Sequence, residues 1–168
     1  MHMRFTFLPV LLAALTLSPL QALAAEEDLV RHGDWGYKCE KSPDGGQELC
    51  YIFQNVTKKD TGQLVLGARI AYRPEQPEPV LVVTVPLGSL LPPGAALTIE
   101  GVEPVKMDYF LCANEGCTTV ATPLPPAMVE AMKKGTQAVI RVAAPNRQVV
   151  GLPLSLTGFT KALGSMKK

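Results

Sequence analysis

The chain has 168 residues, with 16 Lys and Arg against 15 Asp and Glu. A balance this close to neutral excludes the strongly basic face that a nucleic-acid or anionic-lipid binder presents. The length suits one domain around one core.

The first 24 residues carry export features in order: a positive charge at Arg4, an apolar run from Phe5 to Leu17, and small residues at Ala22-Leu23-Ala24. This is the layout of a cleavable signal peptide. A retained anchor is disfavoured by Pro9 and Pro19 and by the Ala-rich end. The first cysteine is Cys39, so none stands at the cleavage point to accept lipid. Residues 1–24 are therefore expected to be removed and residues 25–168 to form a single domain, periplasmic or secreted. Arg4 is the only charged residue lost, which leaves the mature chain formally neutral. No transmembrane segment is expected after cleavage: the longest later apolar stretch, Val80 to Leu91, is broken by Pro86 and Gly88 and falls short of the roughly 18 to 20 residues a spanning helix needs.

From Asp34 to Glu40, Trp35, Tyr37 and Cys39 alternate with Gly36, Lys38 and Glu40, the period of two that turns one set of side chains toward a core. The spacing predicts the first strand here, with Trp35 in the core against the cysteine bridge of that strand. Ser42 to Gly46 is dense turn chemistry, and Glu48 to Val56 resumes strand character, which together make a hairpin. Leu64 to Tyr72 alternates again, Arg73 to Pro79 holds three prolines and belongs to a loop or sheet edge, and Val80 to Val85 is continuous enough for the centre of the core. Further strands are expected at Leu97 to Ile99, at Val105 to Cys112 as one element, and at Val139 to Ala143 and Val149 to Ser155 as a last hairpin. Two short helices interrupt the strands. The first opens at Pro125 and Pro126, pairs Met128 with Met132, and ends on Lys133, Lys134 and a C′ glycine at Gly135. The second, weaker in its pattern, runs from Phe159 to Met166. Short strands punctuated by Gly, Pro, Asn and Asp define an all-β sandwich rather than a bundle.

The four cysteines form two local pairs, Cys39 with Cys50 and Cys112 with Cys117, each flanking turn residues. Three pairings are possible in principle, and the turns favour the local one. Gaps of ten and four residues do not match the close C-x-x-C spacing of zinc ribbons or thioredoxin-like redox pairs, so no metal or cofactor is expected. Catalytic constellations are equally scarce. His32 is the only histidine left after cleavage and is expected to be exposed ahead of the first strand; no serine sits in a G-x-S-x-G or S-x-x-K motif. Glu26-Glu27-Asp28 lacks calcium-loop spacing, and Glu75 with Glu78 sits in the proline-rich loop. No catalytic residue is assigned.

Four segments, HGDWGYKCE (His32 to Glu40), VTVPLGSLLPPGAALTIEG (Val83 to Gly101), FLCANEGC (Phe110 to Cys117) and VGLPLSLTGFTKAL (Val150 to Leu163), together resemble the invasion-associated locus B family. The resemblance implies an exported protein of Gram-negative bacteria with an immunoglobulin-like β-sandwich, and it supplies no catalytic residues. The expected function is a non-enzymatic binding protein of the envelope whose partner is a protein or envelope component, with host-cell interaction or invasion as one setting. The competing expectations are a periplasmic enzyme or metal-dependent protein whose site assembles only in the fold, and a structural envelope component.

Overall fold

β-Branched and aromatic residues in short alternating runs fit a pleated, half-buried surface, and the chain spends most of its length in such runs. The structure is a computed structural model that describes residues 29–41, 46, 48–74 and 76–166. The expected leader, the acidic residues 26–28, residue 75 and most of the first hairpin turn lie outside the described residues.

Five strands follow one another as an antiparallel meander: β1 (Val30–His32), β2 (Trp35–Lys41), β3 (Glu48–Thr57), β4 (Leu64–Ala71) and β5 (Val80–Val85). The chain then crosses to a second layer for β6 (Ala95–Thr98) and β7 (Val105–Met107), and returns for β8 (Tyr109–Ala113), β9 (Gly116–Thr119) and the two-residue β10 (Thr122–Pro123). Helix α1 (Pro126–Lys134) leads back to the second layer, which β11 (Gln137–Ala143) and β12 (Val149–Ser155) complete before helix α2 (Phe159–Ser165). The larger sheet has the order β1-β2-β3-β4-β5-β9-β8, with β10 also on β5; the smaller has β12-β11-β6-β7. This is the all-β sandwich with two short helices.

Inward residues of both sheets fill one core: Ile52, Leu66, Ile70, Leu81 and Val83 from the larger meet Leu97, Met107, Ile140 and Leu154 from the smaller. Met128 and Met132 of α1, together with Phe159 of α2, are fully buried in the same core. Where the ladder on β5 passes from β9 to β10, the buried Thr119 hydroxyl accepts the Val83 N–H at 3.1 Å.

Three expectations change. The segment from Val105 to Cys112 is two strands in two different sheets, because the chain changes layer at Asp108, whose carbonyl accepts the Val120 N–H at 2.9 Å. Leu111 faces out, 47% exposed, because the pairing with β9 shifts register between Tyr109, which still packs on the core, and Leu111. Gly135 ends α1 with extended backbone (φ −80°) rather than a left-handed C′ turn; a side chain there would crowd the Ala131 carbonyl and Leu156, each 3.1 Å from the position of a Cβ. Strand β1 precedes the expected first strand, and His32 lies within it, half-buried.

Candidate functional site

The residues singled out by sequence fall into a structural clamp. Trp35 is fully buried, its ring N–H donates to the Ser155 carbonyl at 2.9 Å, and its edge meets Phe159 with ring centroids 5.3 Å apart. Its aromatic partner is therefore α2, and not the bridge between Cys39 and Cys50 that alternation suggested. Trp35 and Cys39 stand four residues apart on one strand, about 13 Å, too far for the ring to cover the sulfurs. Asp34 completes the clamp by accepting the Ser155 hydroxyl at 2.6 Å, while its N–H donates to the Thr157 carbonyl at 3.1 Å. Two left-handed glycines make the approach possible: a Cβ on Gly33 (φ +60°) would lie 2.6 Å from the Thr157 oxygen, and one on Gly158 (φ +84°) 2.0 Å from the His32 oxygen. The His-Gly-Asp-Trp segment and the turn before α2 are thus one interlocked unit.

His32 belongs to that unit as well. Its Nε2 lies 2.8 Å from the Ser165 hydroxyl, which also donates to the Lys161 carbonyl, while Asp34 is engaged by Ser155. His32 and Asp34 thus each engage a serine of the C-terminal segment, Ser165 and Ser155. The cysteines are joined Cys39 to Cys50 and Cys112 to Cys117, each pair directly opposite in its hairpin. Glu48 lies close to the first bridge, but both sulfurs there are bonded to each other and offer no thiolate for a metal.

A concave site lies on the outer face of the larger sheet, away from all of these residues. Asn55, Gly67, Thr84, Thr118 and Leu111 stand directly opposite one another on β3, β4, β5, β9 and β8, a single row crossing five strands. The row is hollow because Gly67 has no side chain. It is also polar, with the Thr84 and Thr118 hydroxyls 3.0 Å apart. Arg69 rises on one side of this trough, and Leu64, Ala113 and Glu115 on the other, enclosing about 300 Å³. A second hollow of about 290 Å³ continues past Leu64 and Glu115 between Gln63, Pro86, Leu87 and Asn114. Gly116 (φ +141°) lets the β8–β9 hairpin close against β5, since a Cβ there would fall 2.2 Å from the Val85 oxygen.

Beside the trough the same face carries an aromatic and charged platform. Tyr51 packs 6.0 Å from Phe53, with Arg69 at 5.9 Å and Lys38 at 5.6 Å from its ring centre. Lys38 forms an ion pair with Glu40. The hydrogen bond from Lys38 holds the Glu40 carboxyl below its ordinary range, the reciprocal bond raises Lys38, and burial pushes the Tyr51 phenol up. Among the described residues no ion pair takes up Arg69 or Glu115. None of the trough residues stood out in the sequence. The available signal was Gly67, an isolated glycine inside a strand pattern, which marks a close approach or a missing side chain.

Two antiparallel sheets, each hairpin pair of cysteines bonded and one outer face hollowed, define a disulfide-bridged β-sandwich. The family model described as invasion associated locus B (IalB) protein matches residues 35–167. The chain belongs to the invasion associated locus B family. The crystal structure of invasion associated protein B from Bartonella henselae is similar in fold, with a TM-score of 0.71 at 18% identity over 81% of this chain and 92% of that one. No curated protein matches the chain. Two disulfides and this family together point to an exported protein.

Proposed function

We propose that this chain is a non-enzymatic binding protein of the bacterial envelope, released by cleavage after residue 24 and working in the periplasm or outside the cell. Its working surface is the outer face of the larger sheet. The observation that carries this is the trough of Asn55, Thr84 and Thr118 between Arg69 and Glu115, where hydrogen-bonding groups converge on a hollow rigidly held by five strands. Concave sites with a few convergent polar groups are where ligands bind. The family's name supports host-cell interaction as one setting for such binding.

The test is co-sedimentation of the exported protein with isolated cell-envelope material, comparing wild type with Gly67→Val. A Cβ at Gly67 meets Asn55, Thr84 and Leu64 at 3.5 to 3.6 Å, ordinary contact distances, so the first side-chain carbon is accommodated and the added bulk occupies the trough. Saturable wild-type binding that Gly67→Val weakens roughly tenfold or more supports the proposal. Absence of binding, or equal binding by a folded Gly67→Val protein, contradicts it.

A further inference from the structure

We propose that the trough binds a neutral oligosaccharide lying across the strands, an inference that rests on the outer face being the binding surface. Three features of the trough select this class of ligand. The floor groups, the Asn55 amide and the Thr84 and Thr118 hydroxyls, each both donate and accept hydrogen bonds, as sugar hydroxyls do. One wall adds a pure donor, Arg69, and the other a pure acceptor, Glu115, so vicinal hydroxyls find both kinds of partner. Leu64 and Leu111 supply apolar surface for the C–H faces of the rings.

Charge and direction argue against the other occupants. Arg69 and Glu115 cancel, leaving no net field to recruit a polyanion. An extended peptide gains its affinity from main-chain pairing along a strand edge. A trough that crosses strands offers a peptide only side chains. Its length, four interstrand spacings of about 4.8 Å or roughly 19 Å, suits a short linear chain.

The experiment titrates the exported protein with two neutral probes, the tetramer of N-acetylglucosamine and cellotetraose, and with two controls, tetra-alanine and tetragalacturonate, followed by calorimetry. The expected result is saturable binding of at least one neutral tetrasaccharide, weakened roughly tenfold or more in Gly67→Val and in Asn55→Ala, with neither control bound. Asn55 is exposed on the outer face, so Asn55→Ala keeps the test decisive if Gly67→Val fails to fold. The inference is overturned if neither neutral probe binds, if either control binds more tightly, or if both folded variants bind as wild type does. Failure of the oligosaccharides with envelope co-sedimentation intact removes the ligand class alone; loss of both removes the binding surface too.

Discussion

Trp35 joins the two ends of the described chain through a ring contact and a hydrogen bond to residues 124 and 120 positions away. Truncating it opens a large cavity and leaves the Ser155 carbonyl one donor short, so Trp35→Ala should cost about 3 to 5 kcal/mol in urea unfolding monitored by circular dichroism. A folded variant with unchanged stability would remove Trp35 from the core. Gly158→Ala tests the same clamp through the backbone. Left-handed strain costs about 1 to 3 kcal/mol, and the 2.0 Å approach to the His32 oxygen adds a clash, so a measurable fall in melting temperature is expected. The surface pair of Lys38 and Glu40 should matter far less, about 1 kcal/mol or below. Glu40's folded pKa is lowered by its bond from Lys38, so its contribution is present above the ordinary carboxylate pKa and lost as pH falls through the lowered value. Glu40→Gln should therefore differ from wild type near neutral pH and converge with it in acid. A gap that widens in acid would reverse the sign. Sequence alternation gave Trp35 an inward direction, because direction is a local property of a strand; its partners Phe159 and Ser155 were illegible because only the tertiary fold brings them near.

At the scale of elements, two devices hold the layers. Gln54 on β3 makes a two-point bridge to the backbone of Ser155 on β12: its amide donates to the carbonyl at 3.1 Å and its oxygen accepts the N–H at 3.0 Å. Gln54→Leu leaves the part-buried Ser155 N–H without its side-chain acceptor while the carbonyl keeps the Trp35 ring N–H, and should destabilise by about 1 to 3 kcal/mol, the cost of one unsatisfied group, in the same unfolding assay. Near-neutrality would mean that the N–H finds another partner. The disulfides act on the unfolded chain. With sequence separations of 11 and 5, the loop-closure relation assigns about 3 kcal/mol to Cys39–Cys50 and about 2 kcal/mol to Cys112–Cys117. Replacing each pair by serine should reproduce that order in the midpoint of denaturant unfolding; the opposite order would contradict the entropic origin. The hairpins and both helices were legible in local patterns of turn residues and apolar spacing. The break at Asp108 was not, because Val105 to Tyr109 alternates straight through it, and a period of two says which residues share a face but not which sheet the strand joins.

Over the whole molecule, the core-facing set of side chains was readable because burial selects apolar residues at fixed spacing. The trough was not, since its members are ordinary outward-facing residues whose row exists only once five strands are in register. Export belongs to this scale too. Mass spectrometry of the exported product should show a chain beginning at Ala25 or within a residue or two of it; a membrane-bound product retaining Met1 would contradict cleavage. The central claim is that the outer face of the larger sheet is the working surface. It is tested most directly by amide chemical-shift mapping of the isotopically labelled exported protein on addition of solubilised envelope fragments. Shifts concentrated at Asn55, Gly67, Arg69, Thr84 and Thr118 are the expected result. Shifts confined to the smaller sheet or to the exposed β8 edge around Phe110, or none at all, would contradict it.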